Sequence, residues 1–158
     1  MLTKSSTETK AFASRLARIF LKTKNFKLKT GALVVALVGD LGAGKTTFAQ
    51  GFARGLGIRQ PIVSPTFLIF RKYIIPKSSK LIVNSFKFFY HVDLYRIKNF
   101  KELQVLSFKK ILTDPKNIVL IEWAERARRI LPKNTTIIRF QHGKNPNNRD
   151  IFLKSSIS

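Results

Sequence analysis

The chain has 158 residues, of which 44% are hydrophobic, and 14 residues are phenylalanine. This length fits a single domain over 1–158, and so many large apolar side chains exclude an intrinsically disordered protein. No apolar run approaches the ~20 residues of a membrane-spanning helix, and the first ten residues lack the apolar segment of a secretory signal. We therefore expect a cytoplasmic protein without a membrane partner. The absence of cysteine excludes disulfides and thiolate zinc sites.

Positive charge dominates the sequence, because 30 lysines and arginines oppose 8 acidic residues and leave a net charge of +22. Such a chain attracts polyanions whatever its fold, so direct RNA binding is one interpretation. The lysines are dispersed along the chain, however, which is more typical of a lysine-biased composition than of one nucleic-acid groove. Composition alone leaves both interpretations open.

The N-terminal part of the chain predicts a helix, a strand and a second helix. A capping-box pattern at 5–8, followed by apolar residues at helical spacing, predicts a first helix to about Leu21. The valine-rich run 32–38 is apolar on both faces, which is typical of a buried strand in a parallel sheet. A glycine-rich loop follows it. The next helix is expected from about Thr46 to Leu56, and Gly57 is expected to close it in the left-handed conformation.

The middle of the chain predicts a hairpin and a helix. The segment 68–75 and a second arm that ends near Asp93 are separated by turn-like residues, and we expect them to pair as antiparallel strands that extend the sheet. Asn99 together with Glu102 then predicts the start of a helix that carries Leu103, Leu106 and Ile111.

The C-terminal part predicts a second buried strand and a closing pair. The run 117–123 is apolar apart from its ends and places Glu122 where the strand finishes. A short basic helix is expected at 124–131. The segments 135–140 and 150–154 flank a polar turn and predict two paired strands. This alternation of strands and helices predicts an α/β fold.

The glycine-rich loop, Gly39-x-x-x-x-Gly44-Lys45-Thr46, is a P-loop motif in the strand–loop–helix context that the motif requires. Backbone N–H groups of such a loop bind a phosphate chain, and the helix that begins there adds its positive end. Lys45 supplies a positive charge to the β- and γ-phosphates, and the Thr46 hydroxyl can bind Mg²⁺. The predicted fold class is an α/β, P-loop NTPase-like sandwich with a mixed, mainly parallel central sheet and an antiparallel hairpin extension.

Two acidic residues lie at the ends of predicted strands. Magnesium takes oxygen ligands, and in P-loop proteins one of them is usually a carboxylate at the end of a neighbouring buried strand. Asp93 and Glu122 both qualify, and the residues alone do not choose between them. For His91 a buried, hydrogen-bonded role is favoured over catalysis. Trp123 either packs in the core or stacks on a nucleotide base.

Four blocks along the chain carry a resemblance to a known family. They are GDLGAGKTTFAQG at 39–51, SPTF at 64–67, HVDLYR at 91–96 and IEWAER at 121–126. Together they resemble the TsaE family, also called YjeE, in order and spacing. The P-loop alone is generic, whereas its combination with the other three blocks is specific.

The resemblance implies an auxiliary ATPase of tRNA threonylcarbamoyladenosine biosynthesis. Such a protein binds and hydrolyses ATP with Mg²⁺ to support turnover of the TsaB–TsaD transferase, and it is not itself the transferase. TsaD and TsaB are the implied partner proteins, and tRNA is reached through their complex.

The same resemblance implies roles for individual residues. The P-loop residues that hold the triphosphate are Asp40, Leu41, Gly42, Ala43, Gly44, Lys45, Thr46 and Thr47. The implied catalytic residues are Lys45, Asp93 and Glu122, and the implied magnesium ligands are Thr46 and Glu122. The Ser64 and Thr66 hydroxyls are expected to sense the γ-phosphate, Trp123 to stack near adenine, and Arg149 to approach the nucleotide from the last hairpin.

Other functions remain as alternatives. A small-molecule kinase would need an arginine-bearing lid, which Arg126, Arg128 and Arg129 could imitate. A GTPase would need an Asn-Lys-x-Asp stretch, which is absent. A plain RNA-binding module would use the P-loop only as an anion site. This chain is also more basic than the family usually is, which bears on its affinity for partners rather than on the nucleotide blocks.

Overall fold

A mixed β-sheet forms the centre of the fold in the computed structural model, which describes residues 1–22, 31–65, 68–77, 86–98, 102–103 and 107–155. The strands are β1 (Leu2–Thr3), β2 (Leu33–Gly39), β3 (Phe70–Ile74), β4 (Phe88–Asp93), β5 (Asn117–Glu122), β6 (Thr136–His142) and β7 (Arg149–Ser155). The helices are α1 (Ser6–Lys22), α2 (Lys45–Gly55) and α3 (Phe108–Thr113), and a 3₁₀ helix spans Ala124–Ile130. No helix in these ranges is long and apolar enough to cross a membrane.

Parallel pairing holds the middle of the sheet together. Within the described residues the strand order is β1-β7-β6-β2-β5-β4-β3. Strand β2 pairs in parallel with β5 and β6, and β4 pairs in parallel with β5. Antiparallel strands flank this centre, with β3 beside β4 and β7 beside β6. The predicted α/β class, with its mixed sheet and antiparallel hairpin, is confirmed.

Local sequence explains where α1 begins and where α2 ends. The Glu8 backbone N–H donates to Ser5 Oγ at 3.1 Å, and the Glu8 carboxylate accepts from the Lys4 backbone N–H at 2.8 Å. The capping box therefore forms with one difference. The Glu8 carboxylate accepts from the N–H of Lys4 instead of from the N–H of Ser5, the N-cap residue. Helix α2 ends at Gly55, and Gly57 adopts the predicted left-handed conformation with φ of 85°.

Two features at the end of the sheet differ from the sequence predictions. Strand β1 was not expected, because two residues show no periodicity. It forms since the Met1 amino group donates to the Ile151 carbonyl at 2.7 Å and the Ile151 N–H donates to the Met1 carbonyl at 2.8 Å. Strands β6 and β7 are also longer than predicted and extend to His142 and Arg149, so the turn between them is tighter.

Some predicted features lie outside the described residues. These are the helix start at Asn99, its residue Leu106, the end of the predicted turn at 78–80 and the start of the second hairpin arm at 81–85.

Phenylalanine side chains fill the space between α2 and one face of the sheet. Phe48 and Phe52 are fully buried on α2, and their ring centroids lie 6.0 Å apart. Phe48 contacts Phe140 of β6 at 5.5 Å between centroids, and Phe52 contacts Phe89 of β4 at 6.1 Å. Burial of one such side chain contributes roughly 1.5–3 kcal/mol. The cluster therefore fixes the helix that follows the P-loop against strands on both sides of the sheet centre.

Helix α2 approaches α1 closely through two glycines one helical turn apart. A Cβ atom added at Gly51 would collide with the backbone of Lys10, and one added at Gly55 would collide with Ser14 and with Ala17 Cβ. The obstacles at Gly51 are a carbonyl oxygen and a Cα atom, which no rotamer change can move. Glycine at this position therefore sets the distance between the two helices.

The substitution Gly51→Ala tests this contact. Alanine has a helix propensity better than that of glycine by roughly 1 kcal/mol, so an exposed site would gain stability. Here we expect a loss of about 2 kcal/mol in the free energy of unfolding, because overpacking against backbone outweighs that gain. Urea denaturation measures the change, and Arg54→Ala, at an exposed position of the same helix, is the control expected to stay near zero. A Gly51→Ala protein as stable as the parent would contradict the close-contact explanation.

Candidate nucleotide-binding site

The P-loop lies between the end of β2 and the start of α2. Gly44 occupies the N-cap position with φ of 98°, a left-handed conformation that a side chain would strain. As a glycine it has no side-chain oxygen to satisfy the first N–H groups of α2. A phosphate group can satisfy them instead, and the dipole of the helix favours a negative charge at that point. The loop therefore has the geometry of an anion cradle.

The Lys45 side chain folds back over the loop. Its Nζ donates to the carbonyl oxygens of Gly39 at 2.6 Å and Asp40 at 2.7 Å. The same Nζ lies 4.0 Å from the centroid of the Trp123 ring, within cation–π distance. A phosphate oxygen that enters the cradle competes with these partners for the ammonium group.

Acidic side chains surround this lysine. Burial lowers the pKa of Lys45 below its ordinary value, while the carboxylates of Glu122, Glu125, Asp40 and Asp93 act in the opposite direction. These four are half of the 8 acidic residues of the chain. Glu122 and Asp93 line the cleft itself, and Asp40 and Glu125 line the adjacent groove, so negative charge is concentrated near Lys45 in an otherwise strongly basic protein.

Glu122 joins the P-loop helix to the sheet. The parallel register of β2 and β5 places it opposite Leu37, at the carboxyl edge of the sheet. The Thr46 hydroxyl donates to Glu122 Oε2 at 2.9 Å, and Glu122 Oε1 lies 2.8 Å from His91 Nε2. Both carboxylate oxygens are thus engaged, one at the cleft and one in the protein interior.

Asp93 ends the neighbouring strand and holds a different segment. It lies opposite Glu122 in the parallel register of β4 and β5. Its Oδ2 accepts from the Ser64 hydroxyl at 2.6 Å, and its Oδ1 accepts from the Tyr95 backbone N–H at 2.9 Å. The structure therefore brings both predicted acids to one edge, with Glu122 on the P-loop threonine and Asp93 on Ser64.

Trp123 and Tyr95 form an aromatic wall beside the lysine. Their ring centroids are 5.1 Å apart, and the Arg126 guanidinium lies about 6 Å from both rings. Trp123 itself has φ of 57°, a left-handed conformation at the start of the 3₁₀ helix. Its ring lies against Lys45, and stacking on adenine stays a prediction.

The turn between β6 and β7 packs against the P-loop. His142 Nε2 lies 3.1 Å from the Leu41 carbonyl oxygen. The side chain of Arg149 packs over Gly44, while its Nη1 donates to the carbonyls of Pro146 and Asn148. Arg149 thus lies beside the P-loop, and its approach to the nucleotide stays a prediction. His142 was missed, because nothing in the polar turn sequence distinguishes it from a solvated residue.

These elements enclose a cleft of about 350 Å³. Its lining includes the predicted residues Leu41, Gly42, Gly44, Lys45, Thr46, Thr47, Ser64, Asp93, Glu122 and Trp123. Two predicted P-loop residues are placed differently. Ala43 is fully buried beneath the loop, and Asp40 lines an adjacent groove instead. Thr66 lies outside the described residues.

That adjacent groove is larger, about 720 Å³, and shares Trp123 with the cleft. It crosses the β2, β6 and β7 face of the sheet and is lined by apolar residues such as Ile137 and Phe152 beside Arg128, Arg139 and Lys154. Lys45, Thr46 and Glu122 line the smaller cleft. The residues predicted to bind the phosphates and the metal therefore line the smaller cleft.

The donor atoms of the cleft suit a magnesium ion. Thr46 Oγ1 and Glu122 Oε2 are hard oxygens 2.9 Å apart at the mouth of an anion cradle. Mg²⁺ prefers such ligands and is usually bound by few protein groups together with phosphate oxygens and water. Thr46 and Glu122 are thus the residues that fit the ion.

The strand–loop–helix unit, with its lysine and threonine at the helix start and an acid on the next parallel strand, defines the chain as a P-loop NTPase-like protein. The family described as "Threonylcarbamoyl adenosine biosynthesis protein TsaE" matches residues 3–151. The chain belongs to this TsaE family.

Individual relatives agree with this membership. A Haemophilus influenzae protein named tRNA threonylcarbamoyladenosine biosynthesis protein TsaE is 32% identical over 146 residues, which are 92% of this chain and 84% of the relative. A Nostoc protein of the same name is 38% identical over 124 residues, covering 71% of this chain and 70% of the relative. The crystal structure of Bacillus subtilis YdiB superposes with a TM-score of 0.66 at 29% identity and covers 99% of this chain and 84% of that one.

The position of Trp123 predicts a direct optical signal for nucleotide binding. It is the only tryptophan of the chain, and transfer of the Lys45 ammonium from its ring to a phosphate changes the surroundings of the ring. We expect intrinsic fluorescence to change as ATP or ADP is added. Lys45→Ala should weaken the apparent affinity at least ~10-fold, since a charge-assisted hydrogen bond contributes roughly 1.5–3 kcal/mol.

The matched control for this titration is Lys154→Ala, which removes an exposed lysine of the larger groove. Its affinity should equal that of the parent protein. Equal affinities for Lys45→Ala and the parent would contradict the assignment of the phosphates to the smaller cleft.

Proposed function

We propose that this protein is an auxiliary ATPase of tRNA threonylcarbamoyladenosine biosynthesis. It binds and hydrolyses ATP with Mg²⁺ and thereby supports repeated turnover of a TsaB–TsaD transferase, without transferring the threonylcarbamoyl group itself. TsaD and TsaB are its protein partners, and tRNA is reached through their complex. Membership in the TsaE family supports the pathway, and the cleft supports the chemistry.

The observation that carries the proposal is the bond of 2.9 Å between the Thr46 hydroxyl and Glu122 Oε2, beside Lys45 at the P-loop. A threonine at the helix start and a carboxylate on the adjacent strand are the two protein groups that P-loop NTPases use around Mg²⁺. A glycine turn that only caps a helix has no need of this pair.

Electrostatics explain why a cation belongs in the site. Four carboxylates interact electrostatically with Lys45, and two of them, Glu122 and Asp93, line the cleft, so they would repel a triphosphate. Thr46 and Glu122 would hold Mg²⁺, which would neutralise charge on the phosphate oxygens. Lys45 adds a positive charge at the same end of the loop. The carboxylates near Lys45 therefore favour ATP with bound Mg²⁺ over ATP without the metal.

Hydrolysis needs positioning more than covalent chemistry. A water oxygen attacks the γ-phosphorus, the bond to the β,γ-bridging oxygen breaks, and ADP, phosphate and a proton leave. The P-loop N–H groups and Lys45 stabilise the charge on the phosphoryl oxygens. Asp93 holds the Ser64 hydroxyl at 2.6 Å, so this pair can orient the attacking water or the metal's water shell.

The arginines near the cleft are bonded elsewhere. Arg149 Nη1 donates to the carbonyls of its own turn, and Arg126 Nη1 donates to the Ile97 carbonyl at 2.7 Å. An arginine that reaches the transferring phosphoryl group accelerates P-loop hydrolysis by about 10³–10⁵-fold. The contacts described above direct neither the Arg126 nor the Arg149 guanidinium toward the transferring phosphoryl group. We therefore expect slow hydrolysis until a partner protein supplies or redirects a positive group.

ATP hydrolysis with and without the partners tests this expectation. We expect phosphate release by the protein alone to be slow and to rise at least ~10-fold when TsaB and TsaD are added, because a partner supplies or redirects a positive group. Glu122→Gln should be slow in both conditions, since it loses the carboxylate charge. Equal rates with and without TsaB–TsaD would contradict the partner-dependent mechanism.

The pathway role is tested by threonylcarbamoylation of a substrate tRNA. Purified TsaB, TsaD and threonylcarbamoyl-adenylate are supplied with the parent protein, with Lys45→Ala, with Glu122→Ala or with no addition, and product is compared with the amount of TsaD. We expect product in excess of TsaD only with the parent protein and hydrolysable ATP. Identical product in every reaction would mean that the cleft serves another function.

The kinase and RNA-binding alternatives predict other results. A kinase transfers the phosphoryl group to a nucleoside or metabolite instead of releasing it to water. An RNA-binding module keeps its RNA affinity after Lys45→Ala and at high salt. Of the three arginines that could imitate a kinase lid, Arg126 is bonded to the Ile97 carbonyl beside Trp123.

A further inference from the structure

The buried histidine of β4 has no role in the chemistry described above. His91 has no exposed surface, and its Nε2 lies 2.8 Å from Glu122 Oε1. Its other ring nitrogen, Nδ1, is buried and has no hydrogen-bond partner among the described residues. Among the described residues, the imidazole therefore makes one polar contact, which is with Glu122. The same carboxylate accepts a hydrogen bond from Thr46.

The partner of His91 determines which ring nitrogen carries hydrogen. An ionised carboxylate only accepts hydrogen bonds, so Nε2 must donate to Glu122. Nδ1 is then the nitrogen without hydrogen, because a second N–H would be buried without an acceptor in the described structure. The geometry assigns the Nε2–H tautomer to His91.

We propose that His91 is a positioning residue for Glu122, an inference that rests on the proposed function. The histidine holds Oε1 from the protein interior, and Oε2 is left facing the Thr46 hydroxyl at the cleft. A glutamate has several rotatable bonds, and one anchored oxygen removes most of their freedom. Hydrogen-bond partners behind metal ligands typically change metal affinity or activity by about 10–100-fold when they are removed.

A purely structural histidine makes a different prediction. If His91 only satisfies a buried carboxylate, its loss lowers stability but leaves the Mg²⁺ dependence of the folded protein unchanged. If it positions Glu122, its loss raises the Mg²⁺ concentration that the site requires. Nucleotide affinity without metal should then change little, because the P-loop and Lys45 are not altered.

The first experiment is a Mg²⁺ titration of the full chain with ADP, followed by the fluorescence of Trp123. His91→Leu removes the donor, and His91→Gln restores an N–H group at nearly the same reach. We expect the half-saturating Mg²⁺ concentration to rise at least ~10-fold in His91→Leu and to return to within ~3-fold in His91→Gln. ADP affinity in EDTA should stay within ~2-fold in both. Tyr90→Phe, on the same strand outside the cleft lining, is the control and should match the parent.

Two further variants separate failure of this inference from failure of the proposed function. Lys45→Ala should lose ADP affinity, and Thr46→Ala should lose the Mg²⁺ response. If both behave like the parent, the proposed nucleotide and metal site is wrong. If both lose their response while His91→Leu keeps the Mg²⁺ dependence of the parent, the positioning role alone is wrong.

Nuclear magnetic resonance tests the proposal even if the His91 variants do not fold, because it observes His91 in the parent protein. The chain has only two histidines, so a long-range ¹H–¹⁵N spectrum of the parent protein is assigned by comparison with His142→Gln. We expect His91 to show the Nε2–H tautomer with an exchange-protected hydrogen, and Glu122→Gln to shift that signal. A hydrogen on Nδ1, or a His91 signal insensitive to Glu122→Gln, would overturn the proposal.

Discussion

The register of three parallel strands sets the position of the acidic groups near the P-loop. Strand β5 lies between β2 and β4, and Glu122 is opposite both Leu37 and Asp93. Because parallel strands end at the same edge of a sheet, the loop after β2 meets the acids of β4 and β5 there. A shift of one residue in β5 would turn Glu122 to the other face and separate it from Thr46.

The helices hold this edge in place from one side. Glycines on α2 allow it to lie directly against the backbone of α1, and the phenylalanines of α2 pack on β4 and β6. Thr46 belongs to the first turn of α2, so the packing of this helix also sets the distance from its hydroxyl to Glu122. Core packing and site geometry thus depend on the same helix position.

Charge is distributed unevenly in this protein. The chain carries a net charge of +22, yet half of its acidic residues lie around Lys45. The basic surface attracts anions of many kinds, whereas the carboxylates near Lys45 favour an anion that is bound together with a cation. This contrast separates the general attraction of a basic chain for polyanions from the selective chemistry of the proposed ATP–Mg²⁺ site.

The sequence by itself determined the P-loop and the α/β class, because both depend on contiguous residues. Gly44, Lys45 and Thr46 stand side by side, and strand and helix patterns repeat within short windows. Only the tertiary structure decided which acid meets which hydroxyl, since Thr46 and Glu122 are 76 positions apart and His91 and Glu122 are 31 apart. The contact of His142 with Leu41 spans 101 positions. Such contacts follow from strand register and helix packing, which bring together residues that no local pattern connects.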